Sequence, residues 1–144
     1  MKKFYLQRKR DVAGVSVTGR VMEGVILSDG RVCSTWLSAT LSMTVHNDIE
    51  AARYIHCYNE NSVFVFDNKD IYFKTYMMSC LKNEISLTKI GHVADIAVFT
   101  NGKCVLNWLL YPYQIEFFDS FDALKTVHQS NNYTVIEEKL VNTI

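Results

Sequence analysis

Apolar residues recur along this chain at two spacings, and the same succession of spacings occurs twice. Residues 20–28 and 31–38 read as the two arms of a hairpin, and Val32, Ser34 and Trp36 share one face of the second arm. The pattern returns over 92–100 and 103–110, with Cys104, Leu106 and Trp108 on the matching face. Asp29-Gly30 and Asn101-Gly102 separate the arms, and such dipeptides suit a type I′ turn, in which both central residues need positive φ. Each half is therefore predicted to hold a tight hairpin, followed by a short strand at 42–46 or 114–118. Asn47 and Asp119 then read as helix N-caps, with Glu50 and Asp122 three positions on as in a capping box. Ile49, Ala52 and Ile55, matched by Phe121, Leu124 and Val127, form the stripe that each helix lays on its sheet. Asn59 and Asn131 suit left-handed helix stops, 63–66 and 134–136 read as closing strands, and 3–7 and 75–79 as opening strands. The first closing strand, apolar on both faces, is predicted to be central, and the second, running into Glu137-Glu138, to lie at an edge.

Sliding 19–66 onto 91–138 at a constant offset of 72 residues superposes these features without a gap. Gly19 meets Gly91, Val21 meets Val93, Gly30 meets Gly102, Trp36 meets Trp108, Leu37 meets Leu109, Ala51 meets Ala123 and His56 meets His128. Glu23 with Asp95 is one of many conservative pairs. The chain is an internal duplication of a plan of four strands, a helix and a strand, with repeats at 1–70 and 71–144. The predicted class is α+β: two tandem β-rich repeats, each a mainly antiparallel sheet with one helix, related by a pseudo-two-fold. Each repeat alone is small for a stable core, so the two are expected to pack as one compact unit, in a monomer with internal pseudo-symmetry or in a homodimer.

Composition narrows the function classes. Of 144 residues 49% are hydrophobic and 21% charged, the make-up of a folded protein, and 15 basic side chains balance 15 acidic ones, which leaves no global field for nucleic acid or membrane. Lys2, Lys3, Arg8, Lys9 and Arg10 concentrate at the start, where cations on an edge strand discourage sheet aggregation; nucleic-acid binding is disfavoured, since no positive groove continues from them. Nothing approaches the ~20 apolar residues of a membrane span, and no signal peptide is legible, so a soluble cytoplasmic protein is expected. Cys33, Cys57, Cys80 and Cys104 form no C-x-x-C pair and align with Val105, Gln129 and other residues, so they are expected to be core-filling thiols.

The candidate chemistry is sparse. His56 and His128 survive in both copies late in their helices, where an imidazole can bond free carbonyls and meet the negative helix end; a base or a ligand pair is the functional alternative. His56 also stands seven residues after Ile49, on or beside the buried stripe. His46 and His92, unmatched between copies, read as surface residues. The segment Gly14-Val15-Ser16-Val17-Thr18-Gly19 imitates phosphate-loop glycine spacing, but Arg20-Val21 stands where Lys and Ser/Thr are required. No catalytic motif, metal-ligand spacing or cofactor fingerprint is present, so an enzyme is unsupported. Tyr111-Pro112-Tyr113 and Phe117-Phe118 replace Ala39-Thr40-Leu41 and Val45-His46, so the second copy has gained aromatic residues suited to anchoring a protein partner.

Arg10-Asp11-Val12-Ala13-Gly14-Val15-Ser16-Val17-Thr18-Gly19, then Glu23-Gly24-Val25, Ser28-Asp29-Gly30, Trp36-Leu37 and Ile55-His56, resemble a family of short proteins of bacterial genomes and tailed phages with an R-D-x-S-G-V-S-G-T-G start and E-G-V, S-D-G, R-W and I-H-G-H elements. The first copy departs at Ala13, Val17, Thr35 and Cys57-Tyr58, and the second lacks the start motif. The resemblance implies a phage-type accessory protein that binds and inhibits a host protein, without catalytic residues, and Tyr111, Tyr113 and Phe118 are its candidate contacts. A small-ligand, nucleotide-like binder is the alternative, with a pocket between the repeats lined by Gly14, Ser16, Thr18, Arg20, Trp36, His56, Trp108 and His128. An enzyme using His56 or His128 is the third.

Overall fold

A computed structural model describes residues 1–9, 19–37, 42–57, 61–66, 71–81, 91–129 and 133–139. The chain divides into two compact units, Met1–Tyr72 and Phe73–Ile144. In unit 1, β1 (Lys2–Arg8), β2 (Gly19–Ile26), β3 (Val32–Trp36), β4 (Met43–His46), α1 (Ile49–His56) and β5 (Ser62–Phe66) form an antiparallel sheet of order β4-β3-β2-β1-β5 with one helix. Unit 2 repeats this with β6 (Lys74–Cys80), β7 (Gly91–Val98), β8 (Cys104–Trp108), β9 (Ile115–Phe118), α2 (Phe121–His128) and β10 (Thr134–Glu138), in the order β10-β6-β7-β8-β9. The fold is α+β, as the spacing predicts.

The residues identical between copies mark the backbone's unusual points. Leu6 pairs with Met22 but Gln7 with Arg20, so Val21 is an inserted bulge residue; Val93 is the same insertion in β7. The bulge turns each carbonyl toward the next loop, where Val21 O accepts the Leu37 N–H (2.9 Å) and Val93 O that of Leu109 (2.8 Å). Gly19 and Gly91 enter these strands at φ +89 and +105, conformations that only glycine takes without cost.

The hairpins differ from the predicted type I′ form. Asp29 and Asn101 keep negative φ; only Gly30 and Gly102 are left-handed, in three-residue loops closed by Gly30 N–H to Leu27 O (3.0 Å) and Gly102 N–H to Phe99 O (2.9 Å). The acidic or amide residue serves instead as an acceptor, Asp29 Oδ1 for the Arg31 N–H and Asn101 Oδ1 for that of Lys103, each at 3.0 Å.

Both helices start one residue later than predicted. Asp48 and Ser120 are the N-caps, accepting the N–H of Ala51 (2.8 Å) and Ala123 (3.0 Å). With the cap moved, Glu50 and Asp122 are one residue too early for a capping box, and Asp119 instead pairs with Lys103 Nζ at 2.6 Å, which holds its carboxyl below the ordinary range. The buried stripe shifts as well. Ala52 and Leu124 are buried and Ile49 and Phe121 pack on the core, but Ile55 and Val127 are exposed. At 100° per residue, position 55 lies about 90° from the midline between 49 and 52, whereas position 56 falls within about 10° of it. The histidines therefore complete the stripes. The helices end with Cys57 and Gln129 as C-caps at φ −122 and −116, and Asn59 and Asn131 lie outside the described residues.

Two strand placements also differ. β5 is an edge strand like β10, not central, because it pairs only with β1 among the described strands. The basic opening strand, predicted at an edge, lies between β2 and β5: Phe4 and Leu6 are fully buried, contributing roughly 1.5–3 kcal/mol each, while the cations sit at its ends. Lys2 Nζ stands 5.0 Å from the Phe66 ring centre, and Arg8 Nε donates to Ser62 Oγ at 3.2 Å.

The helix-facing cores comprise Phe4, Leu6, Met22, Val32, Ala52 and Phe64 in unit 1 and Met78, Ala94, Ile96, Leu106 and Leu124 in unit 2. The other face of each sheet carries a buried acid directly opposite a neutral polar residue, Glu23 facing Thr35 and Asp95 facing Asn107. Asp95 Oδ1 is held by His92 Nε2 (2.8 Å) and Lys139 Nζ (2.9 Å).

Candidate functional site

Register places the unmatched His46 beside the paired residues Trp36 and His56. Met22, Gly24 and Ile26 of β2 face the helix, so their partners Trp36, Ser34 and Val32 do too, and so in turn do Thr44 and His46 of β4, which pair with Ser34 and Val32. His56 comes down from the last turn of α1 into this row. Its ring lies 5.3 Å from Trp36 and 5.3 Å from His46, near-perpendicular to both. His46, expected at the surface, is half-buried in the row. Arg8, at the end of β1, stands 5.7 Å from the Trp36 ring centre.

The chemistry of this row is unusual. His46 Nδ1 and His56 Nε2 are buried and have no hydrogen-bond partner among the described residues. A buried polar atom left so costs roughly 1–3 kcal/mol and calls for an explanation. Burial pushes His56 down from 6.5 to about 4, and the positive charges available to His46 and Arg8 act in the same direction. His56 is therefore a neutral imidazole at pH 7. The His56 ring turns toward the sheet, against Trp36 and His46.

Unit 2 repeats the row with other atoms. His128 lies 5.5 Å from Trp108 and 5.8 Å from Phe118, the counterpart of His46. Glu116, the counterpart of Thr44, accepts from His128 Nε2 at 2.8 Å and from Trp108 Nε1 at 3.2 Å through one oxygen. Glu116 escaped the sequence reading, although its period-two spacing from Phe118 puts both on the Trp108 face once β8 and β9 are paired.

Within their own units, then, the structure joins Trp36 to His56 and Trp108 to His128. Arg20 is not part of either row: it pairs with Gln7 on the opposite face of sheet 1, its guanidinium 3.9 Å from the Tyr5 ring centre and 5.8 Å from that of Tyr72. Gly14, Ser16 and Thr18 lie outside the described residues. Of the aromatic anchors, Tyr111 is 87% exposed and Tyr113 47%, their rings 6.3 Å apart edge to face. Tyr113 takes φ +61 and donates its N–H to Leu110 O (2.7 Å). Phe118, by contrast, packs on the unit-2 core, and it is Phe117, on the other face of β9, that is exposed.

All four cysteines are free thiols; burial raises Cys33 to about 12 and Cys104 to about 11, and raises Cys57 beside the row, which makes each of these three a poor nucleophile. Among the described residues no three His, Cys, Asp or Glu side chains stand together to hold a metal ion, and no helix is long and apolar enough to cross a membrane.

Comparison with protein families matches the profile of the Acb5 phage protein over residues 1–68 and 86–138, most of both units. The chain belongs to the Acb5 phage protein family. The segments matched to the Acb5 profile contain both Trp–His rows. No curated protein and no solved structure matches this Acb5 member.

Proposed function

We propose that this phage protein binds a small nucleotide-like ligand at the unit-1 row and moves a proton on it. The supporting observation is the pair of buried imidazole nitrogens, His46 Nδ1 and His56 Nε2, that have no hydrogen-bond partner among the described residues. A neutral imidazole has one nitrogen that accepts and one that donates, so two side by side can take a proton from one ligand atom and deliver one to another. Trp36 offers a flat ring for a base, and the Arg8 guanidinium beside it suits a phosphate. Incubating the protein with linear and cyclic nucleotides, with melting followed by fluorescence and products by chromatography, tests this. A melting shift that His56→Gln and Trp36→Leu abolish supports binding, and a product lost with His46→Phe supports proton transfer. Neither shift nor product with any nucleotide removes the proposal.

A second reading is favoured by one observation, the exposed Tyr111–Tyr113 pair. Here the protein occupies and inhibits a host protein through these rings, which bury large area at low entropic cost. A stoichiometric partner captured from host lysate by the wild type, and lost by Tyr111→Ala, supports it; capture unaffected by Tyr111→Ala and Tyr113→Ala removes it.

A further inference from the structure

We infer that unit 2 carries a closed copy of the unit-1 row, and that Glu116 is the residue that closes it. The inference rests on the reading of unit 1 as a ligand site and adds that the site is present once per chain, although its scaffold is present twice.

The two rows are the same object geometrically. Trp36 and Trp108, His56 and His128, and His46 and Phe118 occupy equivalent places, with ring separations of 5.3 and 5.3 Å in one unit and 5.5 and 5.8 Å in the other. The difference is chemical. In unit 1 the position two before the outer ring is Thr44, whose hydroxyl lies 2.7 Å from Ser34 Oγ on the neighbouring strand. That bond engages the hydroxyl, and His56 Nε2 has no hydrogen-bond partner among the described residues. In unit 2 Leu106 replaces Ser34 and is fully buried, so the longer Glu116 has no hydroxyl to meet. Its carboxylate goes to His128 Nε2 and Trp108 Nε1. A carboxylate only accepts, so the Nε2 of His128 carries the proton and is spent as a donor. The outer ring is Phe118, which has no nitrogen to offer. The differences at the counterparts of Thr44 and His46 thus leave unit 2 without either unpartnered nitrogen found among the described residues of unit 1, while the rings keep their edge-to-face contacts. The arrangement trades reactivity for a tie between the end of α2, β8 and the edge strand β9, the direction expected where stability and function compete.

Imidazole ¹⁵N spectra of the full chain test this directly, with urea unfolding alongside. The wild type is expected to show an exchange-protected Nε2–H for His128 and none for His56. Glu116→Thr should remove that protection and lower the unfolding midpoint. Thr44→Glu, for which the small Ser34 leaves room, should create protection at His56, raise the midpoint and abolish any nucleotide-induced melting shift of the wild type. His128 without a protected Nε2–H, or either variant leaving its histidine's signal unchanged, overturns the inference. Should Thr44→Glu not fold, Glu116→Thr decides alone. A wild type that ignores every nucleotide yet shows these spectra would defeat the ligand reading and leave the closure standing.

Discussion

Acid pH should destabilise unit 1 through His56. In the folded protein burial holds this imidazole at about 4, against 6.5 when exposed. Between these values the unfolded chain binds a proton that the folded one refuses, so stability is complete above pH 6.5 and is lost as pH falls toward 4. The difference corresponds to a ceiling of about 3.4 kcal/mol. His56 is only half-buried, so water screens part of this, and a loss of about 1–2 kcal/mol is expected. His46 from β4 and Arg8 from β1 both disfavour a charge on the ring, so neither reverses the sign. The perturbation is a change from about pH 7.5 to about pH 4.5, applied to the wild type and to His56→Gln, which cannot titrate at this position. The chain has two tryptophans, and Trp108→Phe leaves Trp36 as a fluorescence reporter of unit 1 alone, which matters because two compact units need not unfold together. Over this range the urea midpoint should fall further in the wild type than in the His56→Gln variant, by about 1 M at a typical urea slope. Carboxylates elsewhere titrate in both proteins and cancel in the comparison. Equal falls, or a larger fall in His56→Gln, would refute the argument.

Other consequences can be checked by the same unfolding assay. Gly24→Ala should destabilise unit 1 by about 1–3 kcal/mol, because a Cβ there would run into the Phe4 ring and come within 2.9 Å of Cys33 O. Asp48→Ala and Ser120→Ala should each cost about 1 kcal/mol in their own units, whereas Asn47→Ala, removing a residue that does not cap, should be within about 0.5 kcal/mol of wild type. Asp95→Asn should destabilise unit 2 by about 1–3 kcal/mol and make it less salt-dependent, since Lys139 loses its charge partner. Tyr111→Ala should leave stability within about 0.5 kcal/mol, as nearly all of its side chain is in water.

Much of the architecture was legible in the chain. The constant offset of 72 residues carried every element from one copy to the other, and the turn dipeptides marked the hairpins as the turn-spaced apolar stripes marked the helices. The identical pairs were markers of backbone necessity. In the structure Gly19 and Gly91 supply positive φ, Val21 and Val93 form the bulges, and Gly30 and Gly102 take the left-handed loop positions. The details that escaped were ones of phase. Asp48 and Ser120 stand one residue from equally good caps, and the sequence could not say which side chain would reach an N–H. Ile55 reads as apolar and His56 as polar, yet rotation about the helix axis turns the half-buried histidine toward the sheet and leaves the isoleucine exposed.

What only tertiary structure decided was which residues meet across elements. Strand order came from pairing β5 to β1 across most of the first repeat, which no local pattern encodes. The same holds for the rows: His46 joins His56, and Glu116 joins His128, because β4 and β9 lie beside strands whose tryptophans face the helix. In the aligned sequence Thr44 against Glu116 and His46 against Phe118 are two unremarkable differences. Local order depends on spacing along the chain, which the sequence contains. The state of an imidazole depends on what surrounds it in space, and that is set only when the sheet and the helix have packed.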